Sequence, residues 1–255
     1  MKTIRALCLS AALVLSHSAY AQATKICYED ADNIPWNVAG GKGLNNELVR
    51  LASEHSGVPI ELLPLPWKRC LLYVADGRVA GALGASYTDE RASYAVYPTR
   101  ADGKLDVTRR IRFDGYTLYR RKGTEVSWDG KSFTNLVGPV GVQLGYAISG
   151  DLRKLGVTTQ ESGGGAQSQL RMLIKGQVAV VALLTNEGDA LLLDPEFSSE
   201  VERIQPAFSQ KPYFVIFNKQ YYVDHKKLVD DLWAAIASVR ESAAFKQLVS
   251  EKVRK

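Results

Sequence analysis

Residues 77–83 read Gly77-Arg78-Val79-Ala80-Gly81-Ala82-Leu83, and residues 176–183 read Gly176-Gln177-Val178-Ala179-Val180-Val181-Ala182-Leu183. In each stretch a glycine closes one segment and an apolar run follows. Both runs are hydrophobic on both faces, as a strand inside a parallel sheet is. The segments before them correspond as well. Ahead of the first run, Lys25 to Tyr28 reads as a strand, and Leu44, Leu48, Leu51 and Ala52 recur at helical spacing until Gly57. Ile60 to Leu63 then reads as a second strand and 68–75 as a helix closed by Gly77, before a third strand over Val79 to Leu83. Ahead of the second run come a strand at Val140 to Val142, a helix from Ala147 to Leu155 ended by Gly156, and a strand at Val157 to Thr159. A helix from Gln167 to Lys175, ended by Gly176, leads into the buried strand Val178 to Leu183. A strand–helix–strand–helix–strand order that occurs twice predicts an α/β fold of two similar, Rossmann-like lobes.

The connections set how the lobes are joined. Pro98, Gly103 and Gly115 punctuate 98–122, within which Ile111 to Arg121 is strand-like. Pro206 and Pro212 bracket a second connection, followed by a strand at Tyr213 to Phe217 and two amphipathic helices around 225–240 and 242–252. The second lobe is therefore an insertion: lobe one is 22–110 with 211–255, and lobe two is 111–210. Two crossings make a hinge, and a hinged pair of α/β lobes makes a cleft for a ligand.

Composition excludes several classes. The chain has 255 residues, 46% hydrophobic and 23% charged, which rules out disordered, collagen-like and coiled-coil chains. Formal charge is +5, and without residues 1–21 there are 30 Lys and Arg against 27 Asp and Glu. No basic run stands out, which argues against a nucleic-acid partner.

Lys2 and Arg5 precede an apolar stretch from Ala6 to Leu15, and Ala19-Tyr20-Ala21 supplies small residues at the cleavage positions. This is the pattern of an export signal cut after Ala21. The stretch is too short for a spanning helix, so no membrane insertion is expected. Export to the periplasm leaves Cys27 and Cys70 in an oxidising compartment, where a disulfide is expected; the alternative is two buried thiols. Closing a loop of about 43 residues stabilises by roughly 4 kcal/mol in the chain-entropy model. Two cysteines without a histidine partner do not make a zinc site. Gly163-Gly164-Gly165 lacks the Lys-Ser/Thr of a phosphate-binding loop, and no cofactor is expected.

Taken with the export signal, several pieces fall in a recognisable order: Asp30 and Pro35-Trp36 after strand one, Gly43 opening the first helix, and Ser86-Tyr87-Thr88-Asp89-Glu90-Arg91 after strand three. Val140-Gly141-Val142-Gln143-Leu144-Gly145 opens lobe two, and Phe217-Asn218-Lys219 precedes the C-terminal helices. In this order the chain resembles the type II periplasmic solute-binding proteins, and most closely family 3, the binders of polar amino acids. The resemblance implies a monomeric binding protein, not an enzyme, that holds a small carboxylate-bearing solute between its lobes. Its partner would be an inner-membrane ABC-type permease or a membrane sensor.

The resemblance also implies a site. Arg91 takes the position of the arginine that clamps the ligand carboxylate, a role suited to a planar fork. The alternative is a surface arginine paired with Asp89 or Glu90. Ser86 matches a ligand-bonding hydroxyl, and Asp30 an acid for the ligand's ammonium or side chain, or else a turn residue. Trp36 stacks on the ligand or fills the core. Lobe two contributes Tyr146 and Ala147 at a helix start, and Asn186 after the last buried strand. The chain departs from the family at Asn33, where an aromatic is usual, and at Gly84, Tyr146 and Ala147, where hydroxyls are usual. It also has no aspartate near Leu184 or Thr185 for the ammonium. The fold hosts dehydratases too, and in such an enzyme Glu187 or Glu29 would be the general acid or base.

Overall fold

A computed structural model describes residues 23–38 and 40–253. The export segment, with Cys8, lies outside the described residues. In chain order, lobe one opens with β1 (Thr24–Glu29), α1 (Leu44–Ser56), β2 (Ile60–Leu65), α2 (Trp67–Ala75), β3 (Gly81–Ser86), α3 (Asp89–Tyr94) and β4 (Ala95–Val96). The first crossing is β5 (Arg112–Arg121), followed by a small hairpin of β6 (Ser127–Trp128) and β7 (Phe133–Thr134). Lobe two continues with β8 (Val140–Gln143), α4 (Ile148–Lys154), β9 (Thr159–Ser162), α5 (Gly165–Ile174), β10 (Val180–Leu184), α6 (Thr185–Leu191) and α7 (Pro195–Ser198). The chain returns through β11 (Val201–Asn218) to α8 (Lys219–Asp224), α9 (Lys226–Glu241) and α10 (Ala243–Val253).

The duplicated order becomes a duplicated topology. β1 pairs in parallel with β2 and β3, and β8 in parallel with β9 and β10. Each lobe adds one antiparallel strand beside its third: β11 beside β3, and β5 beside β10. The sheet order is β2-β1-β3-β11-β5-β10-β8-β9, so one curled sheet runs through both lobes.

Several sequence expectations shift: the strand expected over Val157 to Thr159 lies at Thr159–Ser162, and a short helix, Lys219–Asp224, precedes the two C-terminal ones. The third strands begin at Gly81 and Val180 rather than Val79 and Val178. The reason is the glycine turn before each: the N–H groups of Arg78 and Val79 bond back to the Tyr73 carbonyl, and that of Gln177 to Met172. The connection expected between Pro206 and Pro212 is instead the middle of one long strand, 201–218. Pro206, which has no N–H to give a ladder, falls where pairing with β5 lapses between Ile204 and Ser209.

The core holds the elements in place. In lobe one, Ile26, Ala82, Val215 and Phe217 are wholly buried, and Trp233 of α9 packs edge-on against Phe217 and gives its indole N–H to the Val215 carbonyl at 2.8 Å. In lobe two, Leu170, Leu173, Val181 and Phe197 form a second cluster. Cys27 on β1 and Cys70 on α2 are joined by a disulfide, with Cα atoms 5.6 Å apart. It fixes α2, and with it Trp67, to the centre of the lobe-one sheet.

Candidate functional site

Four strands end at the same place. Glu29 closes β1, Ser86 closes β3, Gln143 closes β8 and Leu184 closes β10. Carboxyl ends of parallel strands at a switch in strand order are where such sheets leave a crevice. Here two crevices face each other across the hinge.

Arg91 spans this gap. Thr88 caps α3, accepting from the Arg91 N–H at 3.1 Å, and this first turn aims the Arg91 side chain inward. Its guanidinium donates to the Ser86 carbonyl at 2.8 Å and to the Ser86 hydroxyl at 3.4 Å. It also donates across the cleft to the Gly145 carbonyl at 3.0 Å. Gly145 has φ of 80°, a left-handed turn that glycine adopts without strain. The guanidinium lies over the Trp67 ring, 5.4 Å from its centre. Arg91 is 4% exposed, so the reading of a surface arginine is set aside; Asp89 pairs instead with Lys154 at 3.8 Å.

A second arginine faces the same space. Arg112 at the start of β5 donates to Asp114 at 2.8 and 3.2 Å and to the Asn45 side-chain Oδ1 at 2.9 Å. Asn45 donates on to Asn37 at 2.8 Å. The 33–37 loop is seated on the start of α1, whose Leu44 and Asn45 N–H groups are taken by the carbonyls of Pro35 and Trp36. Gly43 is required there, because a Cβ would stand 2.2 Å from the Trp36 carbonyl oxygen.

Acids complete the interior. The Tyr146 hydroxyl donates to Glu29 at 2.6 Å, from lobe two to lobe one. Gln143 donates to the Tyr146 oxygen at 3.3 Å and to Glu187 at 3.4 Å. Burial pushes the Glu29 carboxyl up to about 7, against the lowering effects of Tyr146, Arg112 and Arg91. Burial, and then the neighbouring Glu29, raise Glu187 well above the usual carboxylate range. The Tyr146 hydroxyl is raised by burial and by both acids. Asn33 and Tyr213, both buried, line the inner space with polar atoms that have no partner. That space is about 20 Å³, room for roughly one water. Past Glu29, Trp67 and Tyr146 it continues into an outer groove of about 620 Å³.

The residues singled out in the sequence divide. Ser86, Arg91 and Tyr146 meet in the inner space. Ala147 is buried beside them, in a second opening of the cleft toward Ser149 and Gly150. Asp30 is exposed at the rim of the outer groove, and its neighbour Glu29 faces inward. Asn186 is exposed, while the adjacent Glu187 is buried. Trp36 stacks under Arg112, 5.2 Å from ring centre to guanidinium, rather than lining the cavity; Trp67 is the indole in the cleft. Arg112 and Trp67 were not marked by any motif, and Gln143 stood in the Val140–Gly145 piece without a role assigned to it. Among the described residues no three His, Cys, Asp or Glu side chains converge to hold a metal, and no helix is long and apolar enough to cross a membrane.

No known protein family model matches the chain, and no curated protein sequence matches it. Solved structures do. A histidine kinase sensor domain with similarity to periplasmic binding proteins superposes with a TM-score of 0.71 at 15% identity, over 90% of this chain and 95% of the other. The GluR0 ligand-binding core from Nostoc punctiforme, in complex with L-glutamate, gives 0.68 at 16% identity, over 90% and 98%. An amino acid ABC transporter substrate-binding protein from Streptococcus pneumoniae, bound to L-arginine, gives 0.67 at 20% identity, over 91% and 95%. Identities this low speak to architecture, and the architecture they establish is the two-lobe fold of the periplasmic binding proteins.

Proposed function

We propose that the chain is an exported, periplasmic solute-binding protein, cut after Ala21, that closes its lobes on a small carboxylate-bearing solute, an amino acid or a close relative. The lobes are residues 22–110 with 211–255 and residues 111–210. The observation that carries this reading is Arg91, a buried guanidinium at the meeting of four strand ends whose cross-cleft partner is a backbone carbonyl. No carboxylate pairs with Arg91 among the hydrogen bonds and ion pairs of the described residues. A ligand carboxylate that displaces the Gly145 carbonyl gains a charge-assisted, two-pronged bond. Arg112, already held by Asp114, adds positive potential without competing for the same oxygen atoms.

Delivery to an ABC-type permease fits the fold likeness to the S. pneumoniae protein. A second reading, in which the liganded form reports to a membrane sensor, is favoured by the likeness to the histidine kinase sensor domain. The test is a thermal-shift screen over amino acids, small organic acids and short peptides, with products analysed by mass spectrometry. Stabilisation by a carboxylate-bearing compound recovered unchanged supports the reading. Conversion of that compound, or stabilisation by no carboxylate in the screen, overturns it.

A further inference from the structure

The cleft has two parts of different character. The inner space beside Arg91 is small and polar, and the groove outside it measures about 620 Å³, a size usual for small-molecule sites. Trp67 belongs to both: the Arg91 guanidinium lies 5.4 Å from the centre of its ring, and the same side chain lines the groove. Beyond Trp67 the groove is walled largely by carbon. Ile34 and Pro66 stand on the lobe-one side, and Leu144, Ala190 and Leu191 on the lobe-two side. Ile34 is 59% and Leu144 43% exposed. One exposed apolar side chain is ordinary on a protein surface. One from each lobe along the same groove makes a strip that gains by being covered.

We propose that the outer groove receives an uncharged apolar group of the solute, four carbon atoms or more, while Arg91 holds its carboxylate. This inference rests on the carboxylate reading above and names the ligand class: an amphipathic carboxylate, anionic at one end and hydrocarbon at the other. Trp67 and Tyr146, which line both spaces, mark the way from the anchor to the groove. The acids along the groove, Glu29, Asp30, Asp32 and Glu187, disfavour a second carboxylate on the solute.

The link between the two ends meets polar atoms of both kinds. Nδ2 of Asn33 is a buried donor without a partner, and Oδ1 of Asn33 and Oε1 of Gln143 are buried acceptors without one. Asn33 lines the inner space and Gln143 the groove. A neutral group that both donates and accepts, such as an amide, answers both kinds. An N-acylated amino acid carries these parts in this order: carboxylate, amide, hydrocarbon.

The test is calorimetry on the mature, disulfide-bonded protein with two homologous series: L-alanine, L-norvaline, L-norleucine and L-2-aminooctanoate, and the N-acylglycines from acetyl to octanoyl. L-Glutamine and L-lysine serve as polar controls of similar length. In at least one series affinity should rise roughly three- to fourfold for each methylene added. Its longest member should bind more tightly than either control. Ile34→Asn with Leu144→Asn, both at exposed positions and folded by its melting transition, should cut the gain to less than about twofold per methylene. Two flat series, a control that binds more tightly than every long member, or a gain per methylene that survives in the double variant overturns this inference and leaves the carboxylate reading standing. Binding of no member and no control overturns both.

Discussion

The Tyr146 hydroxyl and the Glu29 carboxylate, 2.6 Å apart, belong to different lobes and meet at the ends of two strands that never pair with each other. Together with Arg91 and Gly145 they are what the closed cleft closes upon.

Tyr146→Phe removes the donor and leaves the Glu29 oxygen facing a hydrocarbon ring. A hydrogen bond to a charged group contributes about 1.5–3 kcal/mol. The empty protein should shift toward separated lobes, with a larger radius of gyration by small-angle scattering than the unmodified chain. Identical scattering profiles would show that this bond does not hold the cleft shut.

Stability should fall as pH rises. A carboxyl whose folded value lies near 7, above its ordinary 4.5, binds its proton more tightly folded than unfolded. Its contribution is therefore complete below about 4.5 and is lost as pH rises through about 7. Glu187 shifts in the same direction. Because Glu29 is partly exposed, the expected loss is of the order of 2 kcal/mol, less than the full shift implies. Denaturant melts of the empty protein at pH 5 and pH 8 would measure it, and Glu29→Gln should flatten the difference. A rise in stability over that range contradicts the assignment.

Arg91→Ala should weaken binding of the cognate carboxylate by about one to two decades, the value of a lost charge-assisted bond of roughly 1.5–3 kcal/mol. Arg91→Lys keeps the charge without the fork and should lie between. Titration calorimetry decides, and unchanged affinity for Arg91→Ala would move the carboxylate to Arg112.

Reduction of Cys27–Cys70 should destabilise the protein by up to roughly 4 kcal/mol, for a loop of 43 residues. Thiol titration of the denatured, unreduced protein should find no free sulfhydryl from the pair, and Cys27→Ala with Cys70→Ala should melt earlier. An unchanged melting temperature after reduction would show the bridge to be idle.

The fold was legible because glycine punctuates it: Gly57, Gly77, Gly156 and Gly176 each mark the stop of a helix, and an apolar run follows two of them. Arg91 was legible because its spacing from Ser86 is local. The acids were harder. Glu29 ends a strand and Asp30 lies one residue past it, and alternation of faces says little once pairing stops. Asn186 and Glu187 are neighbours on a helix, about 100° apart, so choosing the inward one needs the packing of α6. Arg112 sits among Arg109 and Arg110, which looks like a solvated basic face. Its one signal was Asp114, two residues along and so on the same side of the strand. Trp67 had a quieter sign: Pro66-Trp67 repeats the dipeptide Pro35-Trp36.

β11 borders both β3 and β5, and this settles the order in which the chain can assemble. Tyr213 to Phe217 supply the fourth strand of lobe one, so that lobe cannot complete its sheet until everything beyond lobe two has been delivered. Lobe two draws its sheet from a contiguous span that ends soon after residue 200. Were the chain threaded N-terminus first, as the proposed export requires, all of its inserted lobe would be delivered before the last strand of its enclosing one. The disulfide between Cys27 and Cys70, both early in the chain, holds the waiting half together meanwhile.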